Sequence, residues 1–311
     1  MKSGDLLSQP NSKFSALVGD DGWLYIWGID SLEEKVTGRL LASEGDLEAM
    51  GHNIGRRAAW CRKNRIAYRH LIGPDKSSVY PEYLPSSFPR GELTLLDQCT
   101  SEWSRADRNI HFIDAADLLS KSSSVEQVYF KTDSHWNYRG ALNVFNAIAR
   151  SLSVDGIEMS EFHDDDVLIT QKRRVFELGA LADEPAMESF DFIRPAVVRS
   201  KVVFESDSAR GKIQVFENED DSLPRCVLFR DSYSSFFMPF LAERCSRLTV
   251  LKARHCWYDL IEQEKPDIVL TQIAERFLLP RADDRHGRTF ESVFNVPMAP
   301  IFQAGRLSRA K

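Results

Sequence analysis

Two short segments of the sequence carry residue types that can do acid–base and nucleophilic chemistry. The first places Asp133 and His135 two residues apart, just before a predicted helix. In extended backbone the side chains at i and i+2 point to the same side, so these two can share one face. A carboxylate there can fix the tautomer of an imidazole whose other nitrogen faces a nucleophile. The spacing also fits a loop or capping aspartate beside a surface histidine. Spacing alone does not decide between this interpretation and a catalytic pair.

The second segment is a predicted apolar strand at residues 226–229, which leads into Ser232 and then a predicted helix. In open α/β sheets, ligands bind at the carboxyl ends of the strands, which is where this serine falls. The unpaired N–H groups of a helix N-terminus can stabilise an oxyanion there. Ser232 also fits an ordinary N-cap residue, and Ser234 or Ser235 can fill that role as well.

The two segments are interpreted together, because a nucleophilic serine needs a base and the base needs a group that orients it. They predict a triad with Ser232 as nucleophile, His135 as base and Asp133 as the orienting acid. Ser134, between the acid and the base, is the alternative nucleophile. The other six histidines show no spacing typical of metal ligands, so we predict no metal site.

Alternating helices and strands must bring these segments together, and the sequence predicts such an alternation. Apolar residues at helical spacing predict helices at residues 45–64, 92–106, 234–242 and 257–264, and another that begins near Asn137. Short apolar runs predict strands at residues 66–72, 110–113, 226–229, 248–251 and 268–270. Buried strands of this length between helices are typical of a parallel sheet covered on both faces. The predicted fold class is therefore α/β, a three-layer α/β/α sandwich with a mainly parallel sheet.

The pattern changes between residues 155 and 223, where acidic clusters surround β-rich pieces of alternating polarity. We interpret residues 155–223 as a β-rich insertion or lid within a single domain that spans residues 1–311. A strand or hairpin is also expected near residues 17–26, around a Gly-Asp-Asp-Gly turn.

The composition limits the partners and the compartment. With 40 basic and 46 acidic residues, the 311-residue chain has a net charge of −6, which gives no electrostatic footprint for nucleic acid or an anionic membrane. Residues 1–14 lack the features of a secretory signal, and no apolar window is long enough for a membrane span. The five cysteines show no paired or metal-ligand spacing and are interpreted as reduced core thiols. These features favour the cytoplasm for the sequence as it stands.

Several segments together resemble a known family, the SGNH hydrolase-like acetyltransferases of alginate biosynthesis and related exopolysaccharide systems. The most specific are the Asp-x-His-Trp segment with Asp133 and His135, followed by the Asp-Ser-aromatic segment with Ser232. The segments that carry the resemblance are residues 19–25, 74–85, 132–140, 231–233, 265–269 and 275–276. Their order is permuted relative to ordinary SGNH esterases, in which the serine lies near the N-terminus.

The resemblance implies an SGNH hydrolase-like fold and an O-acetyltransferase activity, with Asp133 and His135 as acid and base and Ser232 as nucleophile. An acetyl group would pass through a serine-linked acyl-enzyme to a hydroxyl of a polysaccharide or other glycan. The implied partners are an acetyl donor and a glycan acceptor, with a membrane-bound O-acyltransferase as a further candidate. No cofactor or metal is required, and the periplasm is the alternative compartment.

Two other functions remain open at this stage. A carbohydrate acetyl-esterase would use the same triad with water in place of the sugar hydroxyl. A non-catalytic glycan-binding or assembly protein would keep the cleft without needing the serine. The side chains expected to contact substrate are Lys76, Tyr80, Trp136, Tyr233 and Arg276.

Overall fold

Strands and helices alternate along the residues that the computed structural model describes, which are 1–104, 112–208, 211–279 and Asp284. In chain order the strands are β1 Leu6–Leu7, β2 Ser15–Val18, β3 Leu24–Trp27, β4 Ala67–Gly73, β5 Phe112–Ile113, β6 Val167–Val175, β7 Met187–Pro195, β8 Lys201–Ser208, β9 Gly211–Glu217, β10 Arg225–Arg230, β11 Arg247–Lys252 and β12 Ile268–Ala274. The α-helices are α1 Leu32–Val36, α2 Glu44–Lys63, α3 Lys76–Val79, α4 Leu95–Trp103, α5 Ala115–Ser123, α6 Tyr138–Leu152, α7 Met238–Ala242 and α8 Tyr258–Glu264.

Seven of these strands form one large sheet in the order β5-β4-β12-β10-β11-β9-β8. The strands from β5 to β11 in this order are parallel. At the other edge, β9 runs antiparallel to β11, and β8 runs antiparallel to β9. With helices on both faces, this mostly parallel sheet confirms the predicted α/β sandwich.

Both faces of the large sheet are buried because its central strands are apolar on both sides. On β10, Cys226 and Leu228 pack into one core cluster, whereas Val227 and Phe229 pack into another. Helices α5, α6 and α7 and the small sheet β1-β2-β3 contribute to the first cluster, and α2, α4 and α8 to the second. Burial on both sides explains why β10 is a continuous apolar run in the sequence.

The range 155–223 does not form one inserted unit. β8 and β9 extend the large sheet, and Ile213 and Val215 of β9 are buried in its core. β6 and β7 instead form a separate two-stranded antiparallel sheet, the β6–β7 hairpin, which packs against α6 and α7. Alternating polarity predicted strands here, but alternation does not distinguish a strand that joins the main sheet from one that pairs separately.

Three smaller expectations concern the N-terminal hairpin, the cysteines and membrane spans. β2 and β3 pair in antiparallel fashion around the predicted Gly-Asp-Asp-Gly turn. The cysteines are free and buried, as core thiols are. No helix in the described part of the chain combines the length and the apolar character that a membrane crossing needs.

Candidate active site

The segment after β10 places Ser232 at the carboxyl edge of the large sheet. β10 ends at Arg230, and Ser232 leads into a single 3-10 turn, Tyr233–Ser235. Helix α7 begins only at Met238, so the helix predicted over residues 234–242 is a turn followed by a five-residue helix. Pro239 suits this late start, because a proline in the first turn of a helix lacks only an N–H that would have no partner.

Gln272, on the neighbouring strand β12, holds the residues on both sides of Ser232. Its Oε1 accepts a hydrogen bond from the Asp231 N–H at 3.2 Å and another from the Ser234 hydroxyl at 2.8 Å. Asp231 Oδ1 in turn accepts a hydrogen bond from the Tyr233 N–H at 3.0 Å. The position of the serine is therefore fixed by the sheet as well as by its own turn.

The predicted acid and base lie in a loop of residues 129–136, called here the Asp-His loop, whose ends are closed by backbone contacts. The Asn137 N–H donates to the Val128 carbonyl at 2.9 Å, and Asn137 Oδ1 then caps α6 by accepting from the Gly140 N–H at 2.9 Å. Gly140 allows this close approach, because a Cβ there would lie 2.3 Å from the Val128 carbonyl oxygen. The start of α6 and the end of the loop are thus one unit.

The loop brings His135 between Asp133 and Ser232, which is 97 residues further along the chain. Asp133 Oδ1 lies 3.0 Å from the His135 N–H nitrogen and 2.7 Å from His135 Nδ1, and His135 Nε2 lies 2.8 Å from Ser232 Oγ. With its Nδ1–H donated to the carboxylate, the neutral imidazole can accept the serine proton at Nε2. Burial tends to raise the pKa of Asp133, but hydrogen bonds from His135 and the nearby charge of Lys76 hold it below its ordinary value.

Two aromatic side chains connect the nucleophile turn to the Asp-His loop. Trp136 Nε1 donates to the Tyr233 carbonyl at 3.0 Å. In the opposite direction, the Tyr233 hydroxyl lies 2.9 Å from the Ser134 carbonyl oxygen. The two rings pack at a right angle with their centroids 4.8 Å apart. These reciprocal contacts set the separation between Ser232 and His135.

Comparison with known proteins identifies the family of this chain. Residues 16–256 match the family model described as an SGNH hydrolase-like domain, acetyltransferase AlgX. The chain belongs to this family. A search of curated protein sequences gives no match.

Three solved structures with the same fold cover most of this chain. PatB1 of Bacillus cereus has a TM-score of 0.66 and 17% identity, covering 87% of this chain and 98% of that chain. The O-acetyltransferase domain of Pseudomonas putida AlgJ has a TM-score of 0.56 and 16% identity, covering 96% of this chain and 100% of that chain. Pseudomonas aeruginosa AlgX has a TM-score of 0.54 and 16% identity, covering 83% of this chain and 61% of that chain.

In this AlgX-family chain, a buried cluster of charged groups lies behind the nucleophile turn. Arg276 donates to the Asp75 carboxylate and, through Nη2, to the Tyr233 hydroxyl at 2.9 Å. The Asp75 N–H donates to Glu275 Oε2 at 2.7 Å. Burial and the neighbouring charge of Asp75 raise the pKa of Glu275 to about 8, and burial raises the pKa of Tyr233 well above its ordinary value. The cluster therefore contains a carboxyl group whose pKa lies well above its ordinary value.

The five side chains expected to contact substrate are buried instead. They are Lys76, Tyr80, Trp136, Tyr233 and Arg276, each at most 5% exposed. Their polar atoms contact protein groups: Lys76 Nζ donates to backbone carbonyls, and the Tyr80 hydroxyl accepts from the Val128 N–H at 3.0 Å. Burial also lowers the pKa of Lys76 to about 7. These residues support the site from behind and do not form its open surface.

Four supporting residues were not predicted from the sequence, namely Asp75, Glu177, Glu188 and Gln272. Asp75 follows the end of β4, so the strand-end argument that identified Ser232 could also have found it. Glu177 and Glu188 come from the β6–β7 hairpin and are 43 and 56 residues from their partners in the Asp-His loop. No local pattern marks contacts between residues so far apart along the chain.

One group of side chains also has the composition of a metal site. Asp133, His135 and Glu177 bring a ligand atom each within 4.8 Å of one another, and the set is the only one of its kind in the ranges described. Carboxylates and imidazole are ligands for Zn²⁺. However, His135 Nδ1 already faces Asp133 at 2.7 Å, and Glu177 accepts from the Ser134 hydroxyl. A metal at Nδ1 would replace the proton that fixes the ring tautomer, so the hydrogen-bonded arrangement fits these residues better.

Aromatic rings border the half-buried serine. The Phe236 ring lies 5.5 Å from the His135 ring and 5.4 Å from the Tyr138 ring, measured between centroids. Tyr138 packs in turn against Phe192 of the β6–β7 hairpin at 4.8 Å. These half-buried rings provide apolar faces between Ser232 and the hairpin.

Proposed function

We propose that this chain is an O-acetyltransferase that moves an acetyl group through an acyl-enzyme at Ser232 to a glycan hydroxyl. The observation that carries the proposal is the hydrogen-bonded series from Ser232 Oγ through His135 to Asp133, at 2.8 and 2.7 Å. The acetyltransferase family to which the chain belongs supplies the class of reaction. The geometry and the family support the same chemistry independently.

The first half of the reaction forms the acyl-enzyme. His135 Nε2 takes the proton of Ser232 while Oγ attacks the carbonyl carbon of an acetyl ester. The attack gives a tetrahedral intermediate with a negative oxygen, and Asp133 stabilises the imidazolium that forms. His135 then donates its proton to the leaving alcohol as the ester bond breaks, which leaves acetyl-Ser232.

Backbone donors in the nucleophile turn are the groups that we assign to the oxyanion. The Tyr233 N–H is already donated to Asp231, so the N–H of Ser232 itself is the first candidate. The positive charge of Arg230 lies beside the same turn, where its Nη1 donates to the Asp231 carbonyl at 3.0 Å and to the Ser235 hydroxyl at 2.8 Å. This charge favours the negative intermediate.

The second half of the reaction transfers the acetyl group to the acceptor. A sugar hydroxyl takes the place of the departed alcohol, His135 removes its proton, and collapse of the second tetrahedral intermediate frees Ser232. The rings of Phe236 and Tyr138 offer apolar surface against which a sugar ring can pack. Water would complete the same steps in an esterase, so the identity of the acceptor distinguishes the two functions.

Product partitioning tests the proposal. The protein is incubated with a small activated acetyl ester, with and without oligosaccharide acceptors, and free acetate and O-acetylated glycan are both measured. We expect the acceptor to divert acetyl groups from acetate to glycan, and we expect both products to be lost in Ser232→Ala. A chelator should leave both products unchanged, because no step uses a metal.

Two results would replace this function with another. Release of acetate at the rate of ester consumption, undiminished by added glycan, would identify a carbohydrate esterase. Absence of both products with wild type, together with glycan binding that is unchanged in Ser232→Ala, would identify a non-catalytic glycan-binding or assembly protein.

A further inference from the structure

The inner side of the Asp-His loop is held by one buried ammonium group. Lys76 Nζ donates to the backbone carbonyls of Phe130 at 2.8 Å, Lys131 at 2.8 Å and Asp133 at 2.6 Å. Lys76 is the first residue of α3, directly after the turn that ends β4, and only 3% of it is exposed. Three carbonyl acceptors match the three donors of an ammonium group, so this geometry favours the charged form even though burial lowers the pKa of Lys76 to about 7.

Two backbone N–H groups of the same loop are held by one buried carboxylate. Glu188 of β7 accepts from the Lys131 N–H at 2.9 Å, the Thr132 N–H at 2.8 Å and the Thr132 hydroxyl at 2.7 Å. The hairpin also donates back, because the N–H groups of Leu178 and Gly179 reach the Thr132 carbonyl at 3.1 and 3.0 Å. The loop is therefore bound by its carbonyls to a cation and by its N–H groups to an anion.

Burial of these two charged groups is energetically unfavourable, which indicates that their contacts do more than pack the loop. Burying an ammonium or a carboxylate is unfavourable unless hydrogen bonds replace the lost water, and charge-assisted hydrogen bonds are the stronger kind. Lys76 and Glu188 each use their hydrogen bonds on the loop backbone, and the negative charges of Asp133 and Glu188 favour the charged form of Lys76. An apolar contact would pack the loop at lower cost but would leave its backbone direction free to vary.

We propose that Lys76 and Glu188 are positioning residues that hold Asp133 and His135 in register with Ser232. This inference rests on the proposed function. It also gives the β6–β7 hairpin a role as the outer support of the acid–base loop, in place of the lid expected from the sequence. Misplacing a reacting group by about 1 Å can cost about 100-fold in rate, so backbone groups fixed on both sides of Asp133 matter directly for turnover.

The test compares Glu188→Gln and Lys76→Met with wild type, using the full chain and a small activated acetyl ester. Gln keeps the size of the side chain but presents an NH₂ group to N–H donors, and Met keeps the length of the lysine stem without its charge. The burst of released alcohol gives the fraction of competent sites, which separates misfolded protein from slow sites. We expect kcat per competent site to fall by roughly 10- to 100-fold while KM changes by less than about twofold.

A spectroscopic measurement distinguishes positioning from a purely structural role. The proton between His135 Nδ1 and Asp133 should give a low-field resonance in wild type that shifts or broadens in both variants, whereas loss of stability alone would leave it unchanged in the folded fraction. Glu184→Gln, an exposed carboxylate in the loop of the same hairpin, and Lys121→Met, an exposed lysine, are the matched controls. Both controls should keep the resonance and the wild-type kcat.

A milder variant tests the same proposal if Glu188→Gln and Lys76→Met do not fold. Thr132→Val removes one of the three donors to Glu188 and keeps the shape, and we expect a fall of roughly 2- to 10-fold per competent site. Normal kcat per competent site in folded Glu188→Gln and Thr132→Val, with an unchanged resonance, would overturn the positioning role. If Ser232→Ala also remained active, the proposed function itself would have failed, so the two failures are distinguishable.

Discussion

At the scale of single residues, Asp133 has two hydrogen-bonding tasks that one oxygen performs. Its Oδ1 lies 3.0 Å from the backbone nitrogen of His135 and 2.7 Å from the Nδ1 of the same residue. The first contact fixes the backbone of the loop, and the second fixes the ring tautomer. Because Asp133 is almost fully buried, no solvent is available to replace either contact.

Asp133→Asn tests both tasks together, because the position of Oδ1 then holds either an amide oxygen or an amide NH₂. Asn matches Asp in size, so the thermal midpoint should change little. If the amide NH₂ faces Nδ1, the ring proton moves to Nε2 and the serine loses its base, so turnover should fall by on the order of 10⁴-fold, as in serine proteases. Acetyl-ester turnover and thermal unfolding are measured on the same samples.

Near-normal turnover in Asp133→Asn would show that Asp133 is a loop or capping residue. Asn is as good as Asp in such a role, so this result would remove the acid from the proposed triad.

At the scale of elements, the start of α6 and the Asp-His loop are joined by a contact that only glycine permits. Gly140 lies in the first turn of α6, and a Cβ at this position would meet the Val128 carbonyl oxygen at 2.3 Å and the Trp136 Cβ at 3.2 Å. The Val128 carbonyl also accepts from the Asn137 N–H. A side chain at position 140 would therefore push against the segment that closes the loop.

Gly140→Ala should destabilise the protein although alanine is the better helix former. Helix propensity alone would give a gain of about 1 kcal/mol, but overpacking against backbone costs about 1–3 kcal/mol. The matched control is Gly55→Ala in α2, where nothing lies within 4 Å of the added Cβ and we expect a gain of about 0.5–1 kcal/mol. Denaturant unfolding measures both changes.

Turnover provides a second readout of the same pair of variants. Gly140→Ala should slow the acetyl-ester reaction, because displacement of the loop moves His135, whereas Gly55→Ala should leave it unchanged. Equal stabilisation by both substitutions would mean that α6 and the loop are not coupled in this way.

At the scale of the whole molecule, the carboxyl edge of the sheet contains a buried charge cluster whose protonation links stability to pH. Glu275 is fully buried, its Oε1 accepts from the Ser78 hydroxyl at 2.9 Å, and its Oε2 accepts from the Asp75 N–H at 2.7 Å. Burial and the charge of Asp75 raise its pKa from 4.5 to about 8, while the charge of Arg90 acts in the opposite direction. Between these two pKa values, the folded state holds a proton that the unfolded state has lost.

Ionisation of Glu275 should therefore lower the free energy of unfolding as the pH rises from about 4.5 to about 8. The limiting slope is about 1.4 kcal/mol per pH unit. Glu275→Gln removes the titrating group and keeps one of its two acceptor oxygens. Measured by urea unfolding, Glu275→Gln should become more stable relative to wild type as the pH rises from 5.5 to 7.5. A difference that stays constant across this range would mean that Glu275 is ionised in the folded protein.

The sequence predicted the parts of the molecule that depend on local pattern or residue chemistry. Apolar runs between helices predicted the central strands, and residue types predicted the three residues that meet at the site. Local pattern did not show which polar side chains are buried. Lys76 and Arg276 are polar and follow strand ends, as substrate-binding residues do, but both are buried and form hydrogen bonds with distant segments. The contacts of Glu188 depend on how the hairpin packs, which no local pattern encodes.

The most direct test of the central claim is the intact mass of the protein after brief exposure to a small activated acetyl ester. We expect one acetyl adduct in wild type, located on Ser232 by peptide mapping and absent from Ser232→Ala, because His135 Nε2 lies 2.8 Å from this hydroxyl. An adduct of equal yield in Ser232→Ala, with Ser134 as the first residue to examine, would contradict the account.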